Sequence, residues 1–219
     1  MLEEIKKDLV KNARAAEDMG LCRHRSGNFS VRDTASGLVC MTPSGADRQT
    51  MTPDDIVVMD EAGRVVEAVS GTRPTSEALM HLAAYEARPD ICAVVHTHSP
   101  FALVFAVLRQ PIPAVVAEMA HLATKKGRIP LARYAPPGSK ELAESVQEPL
   151  LESDALLLAS HGVLTVDPGA LSEALLKAAY VEEIAAVYYY ARLLAKGDLP
   201  LLSPQDLVFR PPGKVGKER

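Results

Sequence analysis

The sequence predicts a single mixed α/β domain whose sheet combines antiparallel hairpins with strand–helix units. Three observations predict it. Two hairpin patterns follow one another between residues 28 and 70. From residue 74 onward, apolar strand-like runs alternate with stretches of helical spacing. No repeat or linker interrupts the 219 residues, a length that suits one substantial domain.

The first helix is predicted over residues 2–19, where Leu2, Ile5, Leu9, Val10, Ala13, Ala16 and Met19 recur at helical spacing and Gly20 stops the run. A turn-rich stretch, RHRSGNFSVRD, follows. FSVRD and LVCMTP read as strands joined by TASG, and DIVVMD and RVVEAV as a second hairpin around EAGR. PTSEALMHLAAYEARP is a helix bracketed by Pro74 and Pro89. ICAVVHTH is a buried strand, SPFALVFAVLRQ a helix, PIPAVVA a strand and SKELAESVQEPLLES a helix. ALLLASHG is a second buried strand, with VLTV beyond its turn. One long helix ends the pattern, with Asp167 as its candidate cap. The domain is thus predicted over residues 1–208. Residues 209–219, poor in apolar side chains, read as a flexible tail.

With 47% hydrophobic and 24% charged residues, the chain can bury a large core and stay in solution. Its formal net charge is −4, and its one short basic cluster, Lys125, Lys126 and Arg128, reads as solvated surface, so no nucleic-acid partner is expected. No apolar run reaches the ~18 residues of a membrane span. The charged first twenty residues do not read as a signal peptide. Cys22, Cys40 and Cys92 lack paired spacing and read as reduced thiols of a cytoplasmic protein.

The chemistry is expected around VVHTHSP. Alternation along a strand puts His96 and His98 on one face, with Thr97 on the other. Two imidazoles at a rigid strand end can chelate a metal ion, or can simply hydrogen-bond near the surface. Among the remaining histidines, His24, His81, His121 and His161, the last is the best third ligand. It ends the second buried strand, and Gly162 lets the chain turn tightly after it. Three protein ligands and an open position is the pattern of catalytic zinc, and manganese or cobalt would suit it too. Glu77 supplies a carboxylate at the start of its helix. There Thr75 and Ser76 add hydroxyls to N–H groups that favour anions, although PTSE also fits an ordinary helix cap. His81, one turn on, reads as a packing or supporting residue. SGNFS and TPSG are two further small polar turns of the kind that cradle anions.

SGNFS, TPSG, PTSE, HTH and SHG, in this order and spacing, resemble the class II aldolase and adducin family typified by L-fuculose-1-phosphate aldolase, over about residues 5–200. The resemblance implies a three-layer α/β/α domain around a mainly antiparallel sheet. It also implies a homotetramer with four-fold symmetry and active sites at subunit interfaces. It implies a zinc-dependent lyase that cleaves a sugar 1-phosphate, such as L-fuculose 1-phosphate, to dihydroxyacetone phosphate and an aldehyde through a metal-stabilised enediolate. His96, His98 and His161 match the metal ligands. Glu77 matches the catalytic glutamate, which also binds the metal in the absence of substrate. Gly27, Asn28, Ser44, Gly45, Thr75 and Ser76 match the phosphate site. The sequence departs from the family where a tyrosine protonates the aldehyde oxygen: Ala117 stands at or beside that position, with Glu118 and His121 nearby. Glu118 is therefore a second catalytic candidate, and Tyr134 reads as structural. Dehydratase, decarboxylase and 4-epimerase chemistries on the same metal site are the alternatives. The scaffold branch of the family lacks the metal histidines present here.

Overall fold

The computed structural model describes residues 2–208, so the tail expected over 209–219 lies outside it. In chain order the strands are β1 (Asn28–Arg32), β2 (Val39–Met41), β3 (Val57–Met59), β4 (Val65–Glu67), β5 (Ala93–Thr97), β6 (Ile112–Pro113), β7 (Arg128–Ile129), β8 (Leu131–Ala132), β9 (Ala155–Leu158) and β10 (Gly162–Asp167). The α-helices are α1 (Leu2–Asp18), α2 (Ala78–Ala87), α3 (Pro100–Leu108), α4 (Lys140–Leu150) and α5 (Leu171–Leu194). Eight strands form one sheet in the order β4-β3-β2-β1-β5-β10-β9-β8. Every pairing in it is antiparallel except β8 with β9.

Alternation along the strands divides the core into two faces. Val94, Leu156, Leu158, Leu164 and Val166 pack with α2 and α4 on one face. Ala93 and Val95 pack with α1 and the start of α5 on the other, where Leu157 and Val163 meet α3 and the rest of α5. The result is the expected three-layer α/β/α domain around a mainly antiparallel sheet. Each fully buried Val or Leu contributes about 1.5–3 kcal/mol relative to exposure. β5, buried along its whole length, is laddered on both edges, with His96 opposite Asn28 of β1 and Leu164 of β10. A strand fixed in this way cannot easily shift the side chains at its end.

Three expectations are corrected. PIPAVVA forms only the two-residue β6, paired with β7 in a separate small sheet, and then passes into a 3-10 turn over Ala117–Leu122. Proline at 111 and 113 removes the donors a longer strand would need. Asp167 does not cap α5. It accepts from the N–H groups of Gly169 at 2.6 Å and Ala170 at 3.0 Å, and so closes the turn before the helix. His161 is not in a strand: β9 ends at Leu158 and β10 begins at Gly162, with His161 in the turn between them.

Candidate metal centre

His96 is the penultimate residue of β5 and is fully buried. His98 lies one residue past the strand, held by its backbone N–H donating to the Leu21 carbonyl at 3.1 Å. The β9–β10 turn brings in His161. The three rings stand mutually edge-on with centroids 4.8–5.1 Å apart, and one nitrogen from each lies within 4.8 Å of the others. The tautomer of His96 follows from its partner. Its Nδ1 is 2.8 Å from the Val163 carbonyl, which can only accept, so Nδ1 carries the hydrogen and the Nε2 lone pair faces the cluster. The Nε2 atoms of His96 and His98 face each other at 3.1 Å.

Glu77 completes the cluster from the opposite side. It occupies the position just before α2, yet its side chain makes no cap. Instead Oε2 lies 3.1 Å from His96 Nε2, and Oε1 lies 3.1 Å from His161 Nε2. The Asn28 amide donates to Oε2 at 2.9 Å. Oε1 has no hydrogen bond, and neither has His161 Nδ1, though both atoms are buried. Burial alone would raise the Glu77 pKa. The neighbouring His96 and His161 rings, with the hydrogen bond from Asn28, outweigh it and hold the carboxyl well below its usual range. Burial, with the His96 ring beside them adding to it, lowers both His98 and His161 to about 4. Near neutral pH these two imidazoles are therefore unprotonated. Neutral imidazole nitrogens converging beside a carboxylate, with unpartnered buried donor atoms among them, suit a divalent ion that takes nitrogen and oxygen ligands.

Gly162 has a different function from the one its position suggests. The left-handed backbone of the turn falls on Ser160, with φ 54°. A Cβ on Gly162 would overlap the Thr97 carbonyl oxygen and come within 3.0 Å of His96 Cε1 and 3.2 Å of His98 Cδ2. Glycine is needed there because β10 runs close against two rings of the histidine cluster.

Four of the expected phosphate-site residues meet at one place. A bridge between Pro43 and Pro74 joins the TPSG turn to the start of α2. Ser44 donates to the Arg73 carbonyl at 3.0 Å, and Thr75 to the Thr42 carbonyl at 3.1 Å. This sets Ser44, Gly45, Thr75 and Ser76 side by side. Gly27 is tied to the same region by Arg48, which the sequence reading missed. Its Nη2 donates to the carbonyls of Ser26 and Gly27, and its Nη1 is buried without a partner. Nothing periodic marks Arg48 in the sequence. Its burial rests on those bonds and on the Phe29 ring, 5.9 Å from its guanidinium. Asn28 sits apart from the other candidates: its amide lies between Glu77 and His81, and reaching a phosphate would cost one of those bonds.

Glu118 lies exposed on the Ala117–Leu122 turn, with no hydrogen bond or ion pair to the cluster among the described residues. His121, on the same turn, stacks on Tyr180 at 4.4 Å. No helix among the described residues is long and apolar enough to cross a membrane.

Residues 7–189 match the family model for the class II aldolase and adducin N-terminal domain. A 5-methylthioribulose-1-phosphate/5-deoxyribulose-1-phosphate aldolase of Escherichia coli O45:K1 is 36% identical, over 95% of this chain and 94% of the relative. An L-fuculose phosphate aldolase of Haemophilus influenzae is 35% identical, over 93% and 90%. A solved structure of an L-fuculose 1-phosphate aldolase superposes with a TM-score of 0.87 at 35% identity, covering 93% of this chain and 92% of that one.

Proposed function

Because the chain belongs to the class II aldolase and adducin family, and is therefore read as a lyase, we propose that it cleaves a ketose 1-phosphate such as L-fuculose 1-phosphate to dihydroxyacetone phosphate and an aldehyde. The observation that carries this reading is the buried Glu77 carboxylate between His96 and His161, with Oε1 free of hydrogen bonds.

His96, His98 and His161 would hold a divalent ion, zinc in our reading, with Glu77 as a further ligand until substrate arrives. Such an ion supplies Lewis-acid stabilisation for negative charge developing at the substrate carbonyl oxygen. The chain's own residues move the protons. In cleavage the hydroxyl at C4 loses its proton, and the C3–C4 bond breaks with its electron pair left at C3. C3 then takes a proton through Glu77, which draws it from solvent; in condensation Glu77 removes that proton and returns it to solvent. Backbone N–H groups and hydroxyls at Gly27, Ser44, Gly45, Thr75 and Ser76 would bind the phosphate and fix C3 against Glu77.

We assign the C4 hydroxyl proton to Glu118, whose exposed carboxylate has no partner within the chain among the described residues. It would act within a homotetramer with sites at subunit interfaces. That assembly draws support from Val187, Tyr190 and Leu194, exposed apolar side chains that recur on one face of α5. Glu118→Ala should lower kcat by about 100-fold or more, the usual worth of a general acid–base group, with metal content unchanged. A rate equal to wild type would remove Glu118 from the mechanism.

The named relatives divide between L-fuculose phosphate and 5-deoxyribulose or methylthioribulose phosphate. Cleavage of any of these sugars would release the same dihydroxyacetone phosphate, so the reading concerns the shared half of the substrate and leaves the aldehyde half to specificity. Comparing kcat/KM for L-fuculose 1-phosphate and 5-deoxyribulose 1-phosphate, each with and without its phosphate, tests it. Loss of phosphate should cost about 100-fold, the worth of two charge-assisted hydrogen bonds. Cleavage of free sugars at the same efficiency would contradict the phosphate site.

A further inference from the structure

Behind Glu77 runs a row of four buried polar side chains that the mechanism above does not use. It begins at the Glu77 carboxylate, which can only accept, so Asn28 Nδ2 donates to Oε2 at 2.9 Å. That fixes the amide, and Asn28 Oδ1 faces His81 Nε2 at 2.6 Å. An amide oxygen is an acceptor, so His81 Nε2 must carry the hydrogen and Nδ1 the lone pair. His81 Nδ1 lies 2.7 Å from Ser30 Oγ, which donates to it. Ser30 Oγ is in turn 2.8 Å from the Tyr85 hydroxyl; with the Ser30 hydrogen on His81, Tyr85 donates to Ser30 in preference to the Cys92 carbonyl, 3.4 Å away. Every hydrogen in the row therefore points toward Glu77.

The arrangement follows from two periodicities. Asn28 and Ser30 are alternate residues of β1, on one face of the sheet. His81 and Tyr85 are one turn apart on α2, which packs on that face. The two pairs interleave as Asn28, His81, Ser30, Tyr85. All four side chains are buried, and Ser30 and His81 are wholly so. Burial lowers the His81 pKa to about 3, so the ring stays neutral. A row of this kind in a core is costly unless every member is satisfied. Here each has a partner.

Accepting that Glu77 is the base, we propose that His81 is a positioning residue: acting through Asn28, it holds an amide donor on Glu77 Oε2 and so leaves Oε1 as the oxygen that works on the substrate. Without the His81 donor, Asn28 Oδ1 is left unpartnered and the amide is held at one end only, so it is free to swing off Glu77 Oε2. The two Glu77 oxygens would then no longer be distinguished.

The probe is dihydroxyacetone phosphate alone, whose hydroxymethyl hydrogen exchanges with solvent deuterium through the Glu77 step whatever the aldehyde. In zinc-loaded protein, His81→Leu should lower kcat for exchange by about 10- to 100-fold, with KM and zinc content held within about twofold. His81→Gln, which offers a donor to Asn28 and an acceptor to Ser30, should recover to within about threefold of wild type. Nitrogen-15 NMR of the wild-type protein should show His81 as the neutral Nε2–H tautomer, a readout that needs no variant to fold. Equal loss in the Leu and Gln variants, no loss in His81→Leu, or an Nδ1–H tautomer would each overturn the proposal. Full exchange by Glu77→Gln would overturn the base assignment beneath it. A silent Glu77→Gln beside a fully active His81→Leu would overturn the His81 role alone.

Discussion

Replacing Glu77 by glutamine is expected to lower the rate of ketose 1-phosphate cleavage by about 100- to 10,000-fold, the range for loss of a positioned general acid–base group. Glutamine matches glutamate in size and keeps an oxygen that can accept from Asn28 Nδ2, now 2.9 Å from Oε2. It can neither carry a proton to C3 nor take one from it. The substitution leaves the three imidazoles in place: the His96 ring is oriented by the Val163 carbonyl at 2.8 Å, the His98 backbone N–H is tied to the Leu21 carbonyl at 3.1 Å, and glutamine still fits beside His161 Nε2, 3.1 Å from Oε1. The variant should therefore hold metal in the same stoichiometry as wild type. Steady-state release of dihydroxyacetone phosphate, measured with metal content on the same sample, checks both halves. A variant that keeps metal and full turnover would transfer the proton at C3 to another residue.

Gly162→Ala should cost the protein its metal. The added methyl overlaps the Thr97 carbonyl oxygen, a backbone atom at the end of the central strand that cannot rotate away, and presses on the His96 and His98 rings at 3.0 and 3.2 Å. β5 or β10 must move, and each carries or adjoins a ligand. Displacing ligands by even a fraction of an ångström from a convergent set weakens binding steeply. We expect an affinity at least ~100-fold lower, with turnover falling alongside it. Gly197→Ala is the control, since a Cβ there meets nothing within 4 Å. Chelator competition with the zinc-loaded proteins reads the difference. Wild-type affinity in Gly162→Ala would mean that the close approach of β10 does not shape the site.

What the sequence revealed, and what it hid, follows from the range of the signals. His96 and His98 were legible because period-two alternation is local and the apolar run before them marks a buried strand. His161 was legible for the same reason, although it sits in the turn rather than the strand. The need for Gly162 was misread as a turn requirement. Its real cause is a neighbouring strand distant in sequence, which no local pattern reports. Asn28 looked like part of an anion cradle because its flanks, SGNFS, are those of a turn; its partners Glu77 and His81 lie 49 and 53 residues away. Arg48 left no trace, since a buried arginine held by two carbonyls has no spacing to follow. The hairpins and long helices were read correctly. The short strands β7 and β8 were not, because two-residue strands flanking Pro130 carry too few positions to show a period.

The central claim is that the three histidines hold a divalent ion without which the ketose phosphate is not cleaved. The most direct test is release of dihydroxyacetone phosphate from L-fuculose 1-phosphate and from 5-deoxyribulose 1-phosphate by one preparation in three states: zinc-loaded, stripped by chelator, and reloaded. We predict release from at least one sugar in the loaded state, loss on stripping and recovery on reloading. Undiminished release by the stripped protein, or no release from either sugar by protein shown to hold its zinc, would contradict it.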